Sequence, residues 1–261
     1  MKEIISLESL INIICEAGNK ILPIRSDFEN FRISKKKDNS LLTSADLLAN
    51  NIICKNLNKT KIPILSEENI INVNSERYWL IDPLDGTKDY VNNSKEFTVN
   101  IALIENGVPT IGLIYAPALN QLYVRYLDID CFSIINDKKS YINEIEDFKL
   151  NNISMLRSNS ENSGLFNKIK SKYQFVKENS ISSSLKFGKL FINQYNTYLR
   201  TVGSSEWDIA AGHALLLGVG GNVIDLKTKK QMCYNKINFR NSEFIAFNSK
   251  KNPIINYLNN L

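Results

Sequence analysis

The residues best placed to do chemistry lie in the segment "YWLIDPLDGTKDYV", from Tyr78 to Val91. An apolar run there leads directly into Asp82, Asp85 and Asp89, with a proline, a glycine and a threonine between them. Carboxylates this close together repel one another, and each of them loses favourable hydration when it is buried. The segment therefore predicts a bound positive charge, and the rest of the chain can be searched for its other ligands.

Further acids follow apolar strands or begin helices elsewhere in the chain. With the two central aspartates, the set is Asp46, Glu67, Glu68, Asp82, Asp85 and Asp208. Because no His or Cys accompanies them, these hard oxygen ligands suit Mg²⁺, which binds carboxylates, carbonyls, water and substrate phosphate. Pro83 stiffens the turn and can direct the Leu84 carbonyl toward the same centre. The amides of Gly86 and Thr87 can begin a helix that holds a phosphate.

Each of these signals has a structural explanation when it is taken alone. Asp46 and Asp208 match capping boxes, "TSAD" and "SEWD", at the start of predicted helices. Such acids favour a helix dipole without any catalytic role. Glu67 and Glu68 alone are typical of a solvated loop, and an Asp-Gly pair is common in turns. Only the combination indicates a function.

Composition and charge narrow the class of protein. The 261 residues are 43% hydrophobic and 23% charged, so we expect a full core in one large domain or two coupled subdomains. No apolar run is long enough to span a membrane, and acids interrupt the N-terminal apolar pattern, which argues against a signal peptide. The net charge of +5 is scattered, and "KKK" at 35–37 predicts a solvated loop. We expect a cytoplasmic protein, with peripheral membrane association as the alternative.

Cysteine and histidine usage excludes several kinds of site. Cys15, Cys54, Cys131 and Cys233 lie far apart without a C-x-x-C pair, so zinc, iron–sulfur and dithiol sites have no support. His213 is the only histidine, and most nucleophile–histidine schemes are excluded unless that residue is the base. Its segment, "WDIAAGHALLLG", indicates a packing or surface position on a helix.

Hydrophobic periodicity predicts layered helices and strands. The predicted helices are 4–21, one that begins at "TSAD", 165–170, 184–191 and 207–219. The predicted strands are 62–65, 78–81, 97–104, 108–117, 119–127, 174–176, 195–200 and 222–225. The turn "ENG" predicts a hairpin between two of them. Residues 136–160 are predicted to be irregular and to contain a junction between two halves.

Four segments, read in order, are more specific together than any of them alone. They are "KKDNSLLTSAD", "LSEE", "WLIDPLDGTKDYV" and "SSEWDIAAGHALLLGVGG". Together they resemble the inositol monophosphatase superfamily of metal-dependent, lithium-sensitive phosphatases. "RYWLIDPLDGTKDYV", "EFTVNIALIENGVPTIGLIYAPALNQLY" and "SSSLKF" are similar to its 3′(2′),5′-bisphosphate nucleotidase branch. The resemblance extends from Lys37 to Asp225, and it implies an α/β fold, a layered αβαβα sandwich of the sugar-phosphatase type.

The resemblance implies that the acids hold two Mg²⁺ ions, or three. The implied ligands are Glu67, Glu68, Asp82, the Leu84 carbonyl, Asp85 and Asp208. Asp82 would bridge two ions roughly 3.5–4 Å apart, and Asp85 and Asp208 would complete the second. A third, weaker ion would lie near Glu67 and Glu68.

The resemblance also implies the reaction, which is hydrolysis of the 3′-phosphate of adenosine 3′,5′-bisphosphate to AMP and phosphate. Thr87 with Asp46 is similar to the family's dyad that orients and deprotonates the attacking water, because a carboxylate behind the threonine can take the proton. The implied substrate-binding residues are Glu67, Leu84, Asp85, Gly86, Thr87, Ser183, Ser184, Lys186 and Asp208. Lys186 and Arg200 are candidates for binding a remote phosphate, although Lys186 also fits an ordinary helix surface.

Under this interpretation, residues 1–150 form an α+β subdomain with most metal ligands, and residues 151–261 form an α/β subdomain with Asp208 and the substrate contacts. Three positions depart from the family's pattern. Ser182 stands where a glycine is usual, Leu41 replaces a proline, and Asn159 stands where nucleotidase relatives often have histidine. None is a metal ligand, so these departures concern substrate choice rather than phosphatase chemistry.

Three other functions compete with this one. The same chemistry can act on myo-inositol phosphate, a sugar bisphosphate or histidinol phosphate. A haloacid-dehalogenase-type phosphatase would use Asp128 and Asp130 in "LDIDCFS", although the residues after the second aspartate do not match. A non-catalytic, metal-binding regulatory protein is the third. The expected partners are a small nucleotide or sugar phosphate, with a homodimer as an alternative to a monomer, and neither nucleic acid nor a transmembrane segment is expected.

Overall fold

The computed structural model describes residues 4–26, 32–36, 41–145, 152–158 and 163–259. The helices in these ranges are α1 (Leu7–Ile21), α2 (Ser44–Leu57), α3 (Thr87–Val91), α4 (Gly164–Lys172), α5 (Leu185–Phe191), α6 (Glu206–Gly218) and α7 (Pro253–Asn259). The five helices predicted from periodicity are present, although α1 begins three residues later than predicted, and α7 has no counterpart among the predicted elements. None of the described helices has both the length and the apolar character that crossing a membrane requires.

The strands of the first half form a ribbon and a large sheet. They are β1 (Ile33–Lys35), β2 (Leu41–Thr43), β3 (Ile64–Ser66), β4 (Arg77–Asp85), β5 (Thr98–Glu105), β6 (Val108–Ala116), β7 (Gln121–Tyr126), β8 (Asp130–Ile135) and β9 (Lys138–Tyr141). β1 and β2 are an antiparallel ribbon. β3 to β9 form a seven-stranded sheet in chain order, and only the β3–β4 pair is parallel. Asn106 and Gly107, with φ of 51° and 75°, provide the two left-handed residues that the predicted hairpin between β5 and β6 requires.

The strands of the second half form a six-stranded sheet and a short ribbon. They are β10 (Ile153–Arg157), β11 (Phe175–Ser180), β12 (Thr197–Arg200), β13 (Ser204–Ser205), β14 (Asn222–Asp225), β15 (Lys230–Gln231), β16 (Arg240–Asn241) and β17 (Phe244–Phe247). The order in the sheet is β11-β10-β12-β17-β14-β15, and β13 pairs with β16. β15, β16 and β17 were not among the predicted strands; β15 and β16 have only two residues each, too few to show periodicity, and β17 is a short run of four buried residues.

The central strand β4 shows how the layers arise. Trp79 and Ile81 belong to the core cluster that contains α1 and α2, whereas Tyr78 and Leu80 belong to the cluster that contains α5 and α6. Successive side chains point to opposite faces of a strand, so a strand covered on both faces is an uninterrupted apolar run. This explains why "YWLI" predicts a strand without showing alternation.

Helices α5 and α6 lie between the two sheets. Their cluster joins Ala102 of the large sheet to Tyr198 of the small one. The contact between α6 and β6 is close, since a Cβ added to Gly112 would lie 2.4 Å from the Ala211 carbonyl oxygen. A third cluster packs α4 and α7 against the other face of the small sheet. The layers therefore run helix, sheet, helix, sheet, helix, which confirms the predicted αβαβα sandwich.

The region predicted to be irregular, 136–160, contains regular structure in its described part. β9 and most of the β8–β9 turn lie there, and so does β10. β9 reads "KKSY" and is exposed at all four positions, so this edge strand lacks the apolar alternation that reveals strands in a sequence. The predicted boundary between residues 150 and 151 lies outside the described residues, and the division into two subdomains stays a prediction.

Candidate active site

The acids of the "LSEE" and "DPLD" segments meet at one end of the large sheet. Glu67 follows β3, and its backbone N–H donates to the Ile81 carbonyl oxygen at 3.1 Å. Because β3 and β4 are parallel, their carboxyl ends lie at the same edge of the sheet. This places Glu67 beside Asp82.

A bulge in β4 brings Asp82 and Asp85 onto one face. Asp82 is opposite Asn100 and Asp85 is opposite Thr98, so three steps along β4 match two along β5. Two steps preserve the face of a strand, whereas three regular steps would reverse it. Pro83 lies within the bulge, where its missing N–H interrupts no regular ladder. The sequence predicts that Pro83 stiffens a turn. In the structure, Pro83 lies in a bulge that places Asp82 and Asp85 on the same face of the sheet.

Burial and mutual repulsion raise the pKa values of the three aspartates. Asp82 is 1% exposed, and burial together with Glu67 and Asp85 raises its pKa well above the usual range. Burial, followed by the charge of Asp85, raises the pKa of Asp208 to about 7. Burial also raises the pKa of Asp85, although Lys186 opposes that shift. The protein thus holds more negative charge here than it neutralises.

Backbone donors orient these acids. The Leu84 N–H donates to Asp82 Oδ1 at 3.1 Å, and the Ser205 N–H donates to Asp208 Oδ2 at 2.9 Å. The second contact belongs to the capping box that "SEWD" predicts. Among the residues that the structure describes, no three Asp, Glu, His or Cys side chains already have the arrangement of a closed metal site.

The donor set nevertheless fits a hard divalent cation. Its side-chain donors are all carboxylates, and burial together with the charges of neighbouring acids raises the pKa values of Asp82 and Asp208. Oxygen-only ligands of this kind suit Mg²⁺ better than softer metals. The Leu84 carbonyl accepts from Thr87 Oγ1 at 3.1 Å and keeps a second lone pair for a cation. The predicted ligands therefore lie together, and their individual roles stay predictions.

Thr87 and Asp46 also meet as the sequence predicts. Thr87 Oγ1 lies 3.4 Å from Asp46 Oδ1. The other carboxylate oxygen, Asp46 Oδ2, accepts from the backbone N–H of Thr43 at 2.7 Å and from its hydroxyl at 2.6 Å, which is the predicted capping box of α2. Burial raises the pKa of Asp46, and the bonds from Thr43 oppose the shift. One oxygen of Asp46 thus fixes the helix start, and the other faces Thr87.

Lys36 is a residue of the site that the sequence did not reveal. Its Nζ lies 2.6 Å from Glu67 Oε1 and 2.6 Å from Glu68 Oε1. Burial raises the pKa of Glu68 to about 7, although Lys36 opposes the shift. The prediction of a solvated lysine run is therefore wrong for Lys36, and Lys37 lies outside the described residues.

A cavity of about 60 Å³ lies against the aspartates. Asp85 and Asp208 line it together with Lys186 and Arg200. Lys186 is 3% exposed, its Nζ donates to the Ile181 carbonyl oxygen at 2.8 Å, and burial lowers its pKa to about 8. The alternative of a helix-surface lysine is thereby excluded.

Arg200 faces the same cavity in a fixed orientation. Its Nε donates to the Val202 carbonyl oxygen at 3.1 Å, and its Nη2 donates to the Gly203 carbonyl oxygen at 2.8 Å. Its Nη1 lies 3.4 Å from the hydroxyl of Tyr198. Within the described residues these contacts use three of the five N–H groups of the guanidinium, which leaves two for a ligand.

The "DGT" turn requires a glycine. Gly86 has a φ of 87°, and a Cβ there would lie 3.1 Å from the Glu96 carbonyl oxygen and 3.3 Å from Ser183 Cβ. Helix α3 then begins at Thr87, where the sequence predicts a helix start. The turn and the loop before α5 are thus in contact across the two halves of the chain.

Ser184 makes this connection with buried groups. Its backbone N–H donates to Asp85 Oδ2, and its Oγ lies 2.6 Å from Asn100 Oδ1 and 2.7 Å from Thr98 Oγ1. The hydroxyl is therefore engaged inside the protein, although Ser184 and the neighbouring Ser183 both line the cavity. A direct contact of Ser184 with substrate stays a prediction. The asparagine in the apolar run "FTVNIALI" was the sequence signal for this cluster.

Two of the departures from the family's pattern can be placed. The Ser182 hydroxyl donates to Asp89 Oδ1 at 3.0 Å, and its N–H donates to Glu96 Oε2 at 2.9 Å, so the serine adds a contact that glycine lacks. Leu41 begins β2. Asn159 lies outside the described residues.

The structure separates the competing motifs from the site. The side chain of Asp128 is 96% exposed and pairs with Arg125 at 2.9 Å. His213 is 0% exposed, lies 3.0 Å from the Tyr234 hydroxyl and 2.9 Å from Asn222 Oδ1, and has its pKa lowered to about 3 by burial. It is a packing histidine, as expected. The four cysteines are free, which agrees with the absence of disulfide or thiol-metal signals.

Comparison with known proteins agrees with these features. The 3′(2′),5′-bisphosphate nucleotidase CysQ of Buchnera aphidicola is 36% identical over 250 residues, which cover 92% of this chain and 92% of the relative. The protein of the same name from Salmonella typhimurium is 33% identical over 85% of this chain and 92% of its own length. The crystal structure of CysQ from Bacteroides thetaiotaomicron superimposes with a TM-score of 0.80 at 29% identity, and covers 93% of this chain and 97% of the other.

The profile of the inositol monophosphatase family matches residues 6–257, nearly the whole chain and every predicted ligand. The CysQ structure from Bacteroides is described as a bacterial member of the same family. The sequence match, the layered fold and the convergence of the acids agree, and the chain belongs to the inositol monophosphatase family.

Proposed function

We propose that this protein is a Mg²⁺-dependent phosphomonoester hydrolase that converts adenosine 3′,5′-bisphosphate to AMP and phosphate. One observation carries the proposal: Asp85 and Asp208 line a cavity together with Lys186 and Arg200. The acidic side would receive cations with the phosphate that is removed, and the basic side would bind a phosphate that is retained. A ribose with two phosphates presents both groups. Relatives named 3′(2′),5′-bisphosphate nucleotidase support the same substrate.

The acids would act as metal ligands. Glu67, Asp82, the Leu84 carbonyl, Asp85 and Asp208 would hold two Mg²⁺ ions, with Glu68 beside a third. Bound Mg²⁺ lowers the pKa of water and offsets the negative charge of the phosphoryl group. Without it, the carboxylates would face a phosphate that carries the same sign of charge.

Asp46 and Thr87 would move the proton. The Thr87 hydroxyl hydrogen can turn from the Leu84 carbonyl oxygen, 3.1 Å away, to Asp46 Oδ1, 3.4 Å away, while the hydroxyl oxygen accepts a hydrogen bond from the attacking water. Burial raises the pKa of Asp46 and makes it a better proton acceptor than an exposed carboxylate. Thr43 holds the other oxygen of Asp46, so the carboxylate keeps its orientation.

The cavity would take the retained phosphate. Its volume of about 60 Å³ has room for roughly four to six water-sized groups, which suits one phosphate and is too small for a nucleoside. Two N–H groups of Arg200 and the ammonium of Lys186 remain available to an anion. The adenosine would therefore extend out of the cavity.

A substrate panel tests the proposal. Purified protein with MgCl₂ is offered adenosine 3′,5′-bisphosphate, AMP and inositol 1-phosphate, each with and without LiCl, and phosphate release is measured. We expect the bisphosphate to give the highest kcat/KM and Li⁺ to inhibit. Preference for inositol 1-phosphate would assign the same chemistry to the alternative substrate, and no turnover of any phosphate would favour a non-catalytic role.

Lys186→Met tests the cavity. Losing a hydrogen bond to a charged group should raise KM for the bisphosphate roughly tenfold to a hundredfold. Turnover of inositol 1-phosphate, which has no second phosphate, should be affected much less. An equal loss for both substrates would contradict the role assigned to the cavity.

A further inference from the structure

A buried polar cluster lies directly beneath the carboxylates. It consists of Thr98, Asn100 and Ser184, which are 0%, 1% and 2% exposed. Ser184 Oγ donates to Asn100 Oδ1 at 2.6 Å. The hydrogen of the Ser184 hydroxyl is thereby used, so Thr98 Oγ1, 2.7 Å away, is the donor in its contact with Ser184 Oγ. The hydrogen bonds of the cluster therefore run in one direction: Thr98 donates to Ser184, and Ser184 donates to Asn100.

The last residue of the cluster, Asn100, has an amide N–H₂ group without an acceptor among the described residues. Asn100 Nδ2 is buried and has no hydrogen-bond partner in the part of the chain that the structure describes. Asn100 stands between Val99 and Ile101 in the apolar middle of β5. A leucine there would remove the unpaired amide N–H₂ group, although Ser184 Oγ would lose the oxygen to which it donates. An unpaired buried donor costs stability unless another state of the protein uses it. Packing alone therefore does not explain the asparagine.

The register shows which group the donor faces. Asn100 and Asp82 are directly opposite each other on β5 and β4, so their side chains lie on the same face with Cβ atoms about 4.5–5.5 Å apart. The Leu84 N–H occupies Asp82 Oδ1, which leaves lone pairs on the other oxygen. The opposite orientation of the amide would turn its carbonyl oxygen toward the aspartates, and these groups would repel each other.

We propose that Asn100 is a positioning residue of the metal site, whose Nδ2 donates to Asp82 and holds that carboxylate in place when divalent cations bind. Ser184 fixes the amide by occupying its oxygen, and the Ser184 N–H holds Asp85. One residue at the start of α5 thus orients both aspartates of β4, and the second half of the chain controls the geometry of ligands in the first.

The inference rests on the proposed function only in that divalent cations bind. Its test therefore measures metal binding without substrate. MgCl₂ is titrated into the full-length protein by calorimetry, and the rise in melting temperature with MgCl₂ is recorded in parallel. Variants compared with the wild type are Asn100→Leu, Ser184→Ala and the control Asn248→Leu.

Asn248 is a matched control. It is also a fully buried asparagine, and its Oδ1 has no partner among the residues that the structure describes. Its Nδ2 contacts the carbonyl oxygens of Leu190 and Tyr195 and Oδ1 of Asn193, and none of these is an acid. Its substitution should lower the melting temperature of the metal-free protein without changing the affinity for Mg²⁺. A general loss of stability is thereby distinguished from a loss at the metal site.

We expect Asn100→Leu to raise the Kd for Mg²⁺ about tenfold to a hundredfold, as loss of a group behind a metal ligand typically does. Ser184→Ala should raise it less, because the backbone N–H to Asp85 remains. If Asn100→Leu does not fold, the Mg²⁺ affinity of Ser184→Ala provides the test.

Unchanged Mg²⁺ affinity in Ser184→Ala and in a folded Asn100→Leu would overturn the inference, and so would an equal loss in the control. Absence of Mg²⁺ binding by the wild type would instead contradict the proposed function itself. The two failures are therefore distinguishable.

Discussion

Two acids, the buried Glu206 and the half-buried Asp208, lie close together at the start of α6, and their surroundings differ. Glu206 is 0% exposed and accepts the N–H groups of Asn235 at 2.9 Å and Lys236 at 2.8 Å. The ammonium of Lys236 lies 2.9 Å from the same carboxylate. Asp208 accepts one N–H, from Ser205, and shares a cavity with Asp85.

These surroundings identify Glu206 as a structural acid and Asp208 as a candidate metal ligand. A buried charge whose partners come from the chain is part of the fold, whereas one whose neighbours carry the same sign requires a cation from outside. Burial and Asp85 raise the pKa of Asp208 to about 7, in agreement with a missing positive charge. Both residues belong to the same four-residue capping segment, so the sequence pattern alone does not distinguish them.

The largest expected effect comes from exchanging these two acids for amides. Asp208→Asn should lower kcat/KM roughly 10³-fold, because a cation ligand is lost, while the metal-free protein keeps or gains stability as repulsion falls. Glu206→Gln should lower the free energy of unfolding by about 3 kcal/mol, because Lys236 loses its partner, and leave kcat nearly unchanged. Steady-state kinetics and urea unfolding check both. Strong destabilisation by Asp208→Asn would remove the distinction.

A smaller loss is expected at the dyad. Thr87→Val removes the hydroxyl between the attacking water and Asp46, and should lower kcat roughly 10²-fold with little change in Mg²⁺ affinity. Thr87→Ser keeps the hydroxyl and serves as the control, with most activity retained. If Thr87→Val keeps as much activity as Thr87→Ser, the hydroxyl is dispensable and the proton path is wrong.

The charge imbalance also predicts how stability depends on pH. An acid whose pKa is higher in the folded than in the unfolded chain binds more protons when folded, so stability is greatest below the unfolded pKa and falls as pH rises through the folded value. For Asp208 and Glu68 the folded value is about 7, and burial is the main cause. With EDTA, we therefore expect the melting temperature to fall from about pH 5 to about pH 8.

With saturating MgCl₂ the melting temperature should instead rise with pH, because the cation binds the deprotonated carboxylates and its affinity increases with pH. Thermal unfolding at several pH values, with EDTA and with MgCl₂, checks both directions. A melting temperature that rises with pH in EDTA would mean that the acids are already neutralised by the chain.

The smallest effect is expected at Lys36, which competes with cations for Glu67 and Glu68. Lys36→Met should tighten Mg²⁺ binding a few-fold and make the metal-free protein less stable at high pH, because two carboxylates lose their ammonium. Lys35→Met, at an exposed neighbouring position, is the control and should change neither property. Weaker Mg²⁺ binding in Lys36→Met would show that the lysine supports the metal site instead.

Much of the fold follows from local signals. The capping boxes at Thr43 and Ser205, the hairpin at Asn106 and Gly107, and the apolar run of β4 all occur where the sequence predicts them. Short-range patterns such as these depend on residues a few positions apart, so one sequence suffices. Edge strand β9 was missed because exposed strands carry no apolar alternation.

The sequence identified the acids of the site, but not the side chains that contact them. Acids that follow strands and begin helices identify Asp82 and Asp208 in the sequence, but Lys36 and Asn100 resemble a loop lysine and an ordinary strand residue until their contacts are known. Their roles depend on partners that are distant in the chain. Ser184, for example, bonds to a residue 84 positions away.

The sequence by itself determined which oxygen donors are available, where the helices that carry them begin, and that no histidine or thiol chemistry accompanies them. Only the tertiary structure decided which acids are compensated and which are not. The bulge at Pro83 turns two aspartates to one face, and α6 brings a third acid against them while Glu206 receives its own partners. Charge compensation depends on distances across the fold, and those distances exist only after the layers have packed.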